Sequence, residues 1–125
     1  MRSRRASSSG RGQATVELAL VLPLVLALVL VLVQVGLVAR DSVRLTHAAR
    51  SATRAASLGL DDDAVRRAAS EGSGLAPSRL TVVVARAGEW VTVRVAYRCP
   101  TDVPLVGTFA PAVELRDQLT MRAEG

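Results

Sequence analysis

The sequence is poor in the residues that build disulfides, metal centres and aromatic cores. It has no lysine, one cysteine, one histidine and three aromatic residues. A single cysteine excludes an intramolecular disulfide, so Cys99 is either a buried thiol or half of an intermolecular bridge. One cysteine and one histidine cannot build a closed metal site. We therefore predict no metal site and no cofactor.

The common signatures of catalysis and nucleotide binding are also missing. Neither G-x-x-x-x-G-K-[ST] nor G-x-G-x-x-G occurs in the chain. A Ser–His–Asp arrangement would have to use His47, which lies in an alanine-rich helical segment rather than on a scaffolded loop. The sequence predicts that the protein is not an enzyme, has no catalytic residues and takes no small-molecule substrate.

Positive charge is concentrated at the N-terminus. The formal net charge is +5, yet residues 1–12 hold four arginines and no acid, and the remainder has 12 arginines against 11 acids, a net of +1. A basic chain first suggests nucleic acid or anionic lipid as a partner. Because the excess lies in a short leader, we predict no nucleic-acid binding and treat residues 1–12 as a separate basic leader.

A long apolar run follows the leader. Leu18 to Ala39 are 22 residues without a formal charge, which make about 33 Å of helix against a hydrocarbon core of about 30 Å. The run exceeds the apolar region of an ordinary cleaved signal peptide, the alternative explanation. Arginines in the short leader favour a single-pass helix with a cytoplasmic N-terminus and an outside C-terminus. Pro23 removes one helical hydrogen bond and predicts a kink.

Glu17 stands at the start of this apolar run. An acidic residue costs about 2.5–3.5 kcal/mol at the centre of a spanning helix and less near its end. Two interpretations remain open for this carboxylate. It is either hydrated at the headgroup boundary or paired with a positive charge.

The helix is expected to continue beyond the membrane. The alanine-rich, proline-free segment 40–59 extends it to about Leu58, with Gly59 as its stop, for a total of roughly 65–70 Å. One side of this continuation is an alanine stripe suited to close packing. The other side is an arginine stripe, either a solvated or headgroup-facing surface or a docking surface for acidic neighbours. The arginine stripe consists of Arg40, Arg44, His47, Arg50 and Arg54.

The remaining residues, 60–125, predict a small head. A short helix is expected over about 62–71, opened by three aspartates that favour capping over a cation site and closed by Gly72 and Gly74. Alternating apolar residues predict strands at about 79–87, 89–99 and 112–123, and a tight turn at Ala87-Gly88. Asp117 breaks the last alternation and predicts a bulge or a strand end there.

The fold class is therefore α+β. A transmembrane helix, 13–39, continues as an extramembrane helix, 40–59. The head, 60–125, adds a short helix and a three-stranded antiparallel sheet, whose apolar face is covered by the alanine stripe. A proline-rich loop over residues 100–111 joins the last two strands.

The segment GQATVE, Gly12 to Glu17, together with the apolar run that follows it, resembles the N-terminus of TadE-like proteins. These are pseudopilins of the tight-adherence (Tad/Flp) pilus, related to type IV pilins. The resemblance covers about residues 11–58, and one departure is Leu18, where many members carry an aromatic residue.

The resemblance implies a processing site and a set of partners. A prepilin peptidase would cut between Gly12 and Gln13 and place Glu17 fifth in the mature chain. In a packed bundle, the Glu17 carboxylate of one subunit could then pair with the new amine on Gln13 of another and set their axial register. The implied partners are membrane lipid, the peptidase, other pilus subunits and the assembly platform.

The implied function is that of a minor pseudopilin in pilus assembly or initiation. The resemblance implies that the protein is located in the cell membrane and can be incorporated in a surface pilus. It also links the protein to cell adhesion and secretion. The 65-residue head favours a minor role, because fibre-forming subunits of this system are much shorter. The alternative is a permanently membrane-anchored envelope protein whose β-domain binds a partner.

Overall fold

The computed structural model describes residues 9–100 and 111–124. The chain divides between Val33 and Gln34 into two compact units. Its helices are α1 (Ser9–Ser57) and α2 (Asp62–Ser73), and a 3-10 turn covers Pro77–Arg79. Its strands are β1 (Leu80–Ala87), β2 (Trp90–Cys99) and β3 (Val113–Arg122). This architecture confirms the predicted α+β class.

Helix α1 is longer at its start than the sequence suggested. It was expected to begin near Gln13, but it begins at Ser9 and includes Gly10 and Gly12. Of residues 9–100 and 111–124, none outside the local helix backbone has an atom within 4 Å of a Cβ built on either glycine. The alanine- and leucine-rich segment that follows favours helix, and propagation adds one hydrogen bond for each residue fixed.

The end of α1 is fixed by Gly59, as predicted. Gly59 has φ +78°, a left-handed conformation that glycine adopts without a Cβ penalty. Its N–H donates to the carbonyl of Ala56 at 3.1 Å, and the N–H of Leu60 donates to the carbonyl of Ala55 at 3.3 Å. These two bonds form a Schellman motif, which satisfies carbonyls that the helix end would otherwise leave free.

Within the first unit, α1 exposes its apolar side chains. Leu20 is 72% exposed and Leu24 is 71% exposed, and most of their apolar neighbours are similarly accessible. The helix is long and apolar enough to cross a membrane. A bilayer, rather than water, is the solvent in which such a surface is stable.

In the second unit, α1 supplies one side of the core. Its predicted alanine stripe is buried, together with residues of α2, β1 and β2, in one apolar cluster. Thr53, one of two buried polar residues described in this part of α1, donates its hydroxyl to the carbonyl of Ala49 at 2.6 Å. Small side chains allow the helix backbone to approach the sheet closely. The buried stripe residues are Leu45, Ala48, Ala49, Ala52, Ala55 and Ala56.

Helix α2 is capped as the three aspartates suggested. The carboxylate of Asp61 accepts a hydrogen bond from the backbone N–H of Ala64 at 3.0 Å, which satisfies one free donor of the first turn. The helix ends at Gly74, whose φ is +67°. Gly72 was expected to end it as well, but it lies inside the helix. A Cβ built on Gly72 would overlap Ser51 Oγ and lie 3.0 Å from Ser51 Cβ, so glycine permits close contact between α1 and α2.

The sheet is antiparallel, with the order β1-β2-β3 and no break in register from one end to the other. The predicted faces are confirmed, because the alternate residues from Val91 to Cys99 are buried. The hairpin turn lies one residue later than predicted, at Gly88-Glu89, since Ala87 pairs with Trp90. Gly88 has φ +59°, which explains why the turn is centred on this glycine.

The bulge or strand end predicted at Asp117 does not exist. Strand β3 pairs continuously with β2, and Asp117 lies opposite Val95 on the face that packs against the helices. The side chain of Asp117 is only half-buried because β3 is an edge strand. A carboxylate at a partly solvated edge keeps its hydration, so the strand need not distort to expel it. Residues 101–110 of the predicted proline-rich loop lie outside the described residues.

Candidate processing and assembly site

The Gly12-Gln13 junction lies on an exposed turn near the start of α1. The hydroxyl of Thr15 donates to the carbonyl of Arg11 at 2.9 Å across this turn. A peptidase needs an extended chain in its active site, so cleavage here requires the turn to open. Gly10 and Gly12 lower the cost of opening, because glycine is about 1 kcal/mol less favourable than alanine in a helix interior.

The predicted register carboxylate, Glu17, faces the same side of α1 as Gln13. The side-chain amide of Gln13 donates to Glu17 Oε1 at 3.4 Å, a long hydrogen bond one helical turn apart. Both side chains are exposed. Among the described residues of the uncut chain, the hydrogen-bond partner of this carboxylate is therefore a neutral amide. Cleavage after Gly12 would add a positive amine on the residue that already approaches it.

Two further features lie along the apolar part of α1. The helix continues without interruption through Pro23, whose ring leaves the carbonyl of Ala19 without its usual helical donor. The kink at Pro23 stays a prediction. Farther along, Gln34 is half-buried, and its Oε1 accepts no hydrogen bond from the residues that the structure describes.

The arginine stripe of α1 faces away from the buried alanines. Arg40, His47, Arg50 and Arg54 are exposed, and Arg44 is half-buried. Among residues 9–100 and 111–124, none of these side chains forms an ion pair. The stripe is therefore accessible to solvent, to lipid headgroups and to an acidic neighbour, and the two interpretations of the sequence stay predictions.

Cys99 lies at the end of β2, and its side chain is buried, as one of the two predicted states of this thiol required. Burial, followed by the nearby charge of Asp41 on α1, raises the pKa of the Cys99 thiol. A protonated, buried thiol is a poor nucleophile. This neighbour could not be predicted from the residue order, since Asp41 and Cys99 are 58 positions apart.

The outer face of the sheet was not predicted as a functional surface. It carries Trp90, 56% exposed, and Val83, 52% exposed, among a group of arginines. The strand register places Arg94 opposite Gln118 and Arg116 opposite Ala96. The alternation of the strands had assigned the β2 residues to this face, but it could not show which side chains of β3 stand beside them.

Comparison with known proteins confirms the resemblance noted for α1. Residues 12–54 match the family model described as TadE-like protein. The match begins at the glycine of the proposed cleavage site and ends within the buried alanine stripe, and it relates the chain to the Tad pilus. No curated protein and no solved structure matches the chain. The strand-rich head follows the matched segment.

Proposed function

Starting from this TadE-like segment, we propose that the protein is a minor pseudopilin of a tight-adherence pilus. A prepilin peptidase removes residues 1–12, and the mature chain then acts in pilus assembly or initiation. One observation carries the proposal, namely that three features occur on a single helix. Helix α1 carries the Gly12-Gln13-Glu17 arrangement near its start and then exposes an apolar surface suited to lipid. Its last turns pack against the sheet of the small head.

The physical logic of this arrangement is a change of environment for α1. In the membrane, lipid covers the exposed leucines and valines. In an assembled bundle, other helices would cover the same surface, and Glu17 would lose its contact with water. A buried carboxylate is costly unless it is paired. The amine created on Gln13 by cleavage supplies a charge of the right sign, which links processing to assembly.

The orientation is also part of the proposal. Arginines of the leader favour a cytoplasmic N-terminus, which leaves the head outside the membrane. A reporter enzyme that is active only outside the cytoplasm, fused after Gly125, should be active. A fusion that works only in the cytoplasm would reverse the orientation.

Processing is tested by the mass of the chain isolated from cells with and without a prepilin peptidase. We expect residues 1–12 to be lost only when the peptidase is present. Gly12→Val should block this loss, and Gly10→Val should not. Both glycines are exposed, and a Cβ at either position meets no atom of the described residues within 4 Å. The two variants should therefore disturb folding equally, so a difference between them reports recognition of the junction.

An intact chain in both strains would contradict the processing step. It would favour the alternative, a permanently membrane-anchored envelope protein with a partner-binding β-domain. That alternative also predicts normal pilus formation when the gene is deleted, whereas a pseudopilin that acts in assembly or initiation predicts fewer pili or none.

A further inference from the structure

The outer face of the sheet contains a shallow open depression of about 560 Å³. Its floor is made by short side chains, and longer side chains stand around it. Thr81 and Ala96 are directly paired across β1 and β2, which keeps the floor low. The residues that shape it are Thr81, Val83, Arg94, Ala96, Arg116 and Gln118.

Two arginines at this depression are held in place by their inner nitrogen. Arg94 donates from Nε to Oε1 of Gln118 at 3.0 Å, and Arg116 donates from Nε to Oε1 of Glu114 at 3.1 Å. Neither guanidinium makes another side-chain hydrogen bond within residues 9–100 and 111–124. Their terminal nitrogens therefore keep their donors for a ligand.

Arg94 and Arg116 lie on the same face of the sheet, on adjacent strands. Arg94 faces Gln118, and Arg116 faces Ala96, so the arginines are diagonal neighbours on adjacent strands. Such neighbours are separated by about 7–8 Å at their Cα atoms. The like charges at the ends of the two side chains repel each other. An anion between them would replace this repulsion with two charge-assisted contacts.

Two acidic residues, Glu114 and Asp117, also line the depression, and Glu114 forms an ion pair with Arg116. Both carboxylates already accept hydrogen bonds. Glu114 accepts from Arg116, and Oδ1 of Asp117 accepts from the backbone N–H of Gln118 at 2.8 Å. A second depression, of about 410 Å³, adjoins the first through Thr81, Ala96 and Glu114, and is also bordered by Arg79 and Arg98. Four arginines against two engaged acids leave this face positive.

Apolar side chains share this surface with the arginines. Val83 borders the depression itself, and Trp90 lies on the same face toward the hairpin turn. Exposed tryptophan and arginine are the residue types that contribute most to protein interfaces. A partner with both apolar side chains and carboxylates would bury the valine and tryptophan of this face and would neutralise its arginines.

We propose that this face binds an acidic segment of a partner protein, with a carboxylate clamped between Arg94 and Arg116. Arginine is suited to the role because its planar guanidinium group donates two parallel hydrogen bonds to a carboxylate. Each arginine has one Nε contact that restricts its guanidinium group before the ligand arrives, and this restriction reduces the entropy lost on binding. This inference goes beyond the proposed pilus function, since it concerns the head and does not depend on cleavage after Gly12.

The test uses the full chain in detergent micelles and a fluorescent peptide in which Glu and Val alternate. Binding is followed by fluorescence anisotropy. We expect the peptide to bind and its Gln-for-Glu counterpart to bind at least about tenfold more weakly. Raising the salt concentration from about 50 to about 200 mM should weaken binding, because exposed charges are screened.

The double variant Arg94→Gln/Arg116→Gln should weaken peptide binding at least about tenfold. Its matched control is Arg66→Gln/Arg67→Gln, which removes the same charge from two exposed arginines of α2 and should leave binding within about twofold. Arg94→Lys/Arg116→Lys keeps the charge and loses the planar forks, so it should also bind more weakly. Thermal melting of each variant checks that the head remains folded.

Several results would overturn the proposal. They include equal binding of the Glu and Gln peptides, equal loss in the α2 control, and unchanged binding in the Arg94→Gln/Arg116→Gln variant. Dextran sulfate and phosphatidylglycerol vesicles are tested in parallel. If either binds more tightly than the peptide and depends on the same two arginines, the ligand is an anionic polymer or a lipid surface rather than a protein.

Discussion

At the scale of single residues, Cys99 and Asp41 form a contact that joins the end of β2 to α1. The thiol is buried, and the carboxylate beside it is half-buried. Burial and the charge of Asp41 both disfavour the thiolate, which is why the pKa of Cys99 is raised above its ordinary value of 9.0. The same neighbour therefore keeps the thiol protonated and unreactive.

This raised pKa predicts how stability depends on pH. The folded state holds the Cys99 proton more tightly than the unfolded state. The contribution of Cys99 to the free energy of unfolding is therefore fully present below pH 9.0. As pH rises beyond that value, the unfolded chain gains a thiolate that the folded state resists, and the free energy of unfolding falls. Thermal melts of the wild type and Cys99→Ala across this range should show a smaller loss in the variant.

The role of Asp41 is checked by the rate at which Cys99 reacts with iodoacetamide. Asp41→Asn removes the negative charge and should move the onset of alkylation to lower pH. Ser42→Ala, a neutral change at the next residue, is the control. An unchanged pH profile in Asp41→Asn would mean that burial alone raises the pKa.

At the scale of secondary-structure elements, the approach of α2 to α1 depends on a missing side chain. Gly72 lies inside α2, where glycine is about 1 kcal/mol less favourable than alanine. Its place there is explained by Ser51 of α1, which occupies the space that a Cβ would need. The helix gives up intrinsic stability for closer packing.

We expect Gly72→Ala to destabilise the head by about 1 kcal/mol, because an overlap of about 1–3 kcal/mol outweighs the gain in helix propensity. Ser51→Ala removes the hydroxyl, so the double variant should be more stable than Gly72→Ala alone. Chemical denaturation of the four chains in detergent gives the coupling energy. If the two single effects simply add, the contact with Ser51 is not the cause.

At the scale of the whole molecule, charge and apolar surface are separated along the chain. The first unit holds Glu17 and a surface for lipid, whereas the second holds a packed core and an outer face with several arginines. The proposed function assigns the two units different tasks. Residues near the start of α1 would govern assembly, and the head would select what the assembly meets.

Glu17→Gln tests the first of these tasks, because it keeps the size of the side chain and removes its charge. We expect processing to continue and pilus formation to fall, counted by electron microscopy of cells carrying the variant. Glu71→Gln, an exposed carboxylate on α2, is the matched control and should leave pili unchanged. Normal pilus numbers in Glu17→Gln would favour a carboxylate that simply remains hydrated at the headgroup boundary.

Much of the architecture followed from local rules in the sequence. Period-two alternation identified the buried face of β2, and the alanine stripe identified the helix face that covers it. Three of the four errors share a cause, since Gly72, Gly88 and Asp117 depend on what lies across from them, whereas the early start of α1 at Ser9 does not. A glycine that ends a helix and one that admits a neighbouring helix look alike in sequence, and so do an acid at a bulge and one at a solvated edge.

The candidate site divides in the same way. The Gly12-Gln13-Glu17 arrangement is contiguous, so its spacing on one helix could be read directly from the residue order. The arginine pair on the sheet could not, because Arg94 and Arg116 meet only through the register of β2 and β3. Cys99 and Asp41 are likewise brought together by packing alone.

The position of Asp117 restricts how copies of the head can meet. Strand β3 forms one edge of the sheet along ten residues, and a matching strand from another chain would extend the sheet there. Such an addition would cover the carboxylate that now reaches water from the inner face, a cost that disfavours edge-to-edge growth. In the proposed assembly, neighbouring heads would therefore resist merging into amyloid-like ribbons, and contacts between copies would be left to helices and sheet faces.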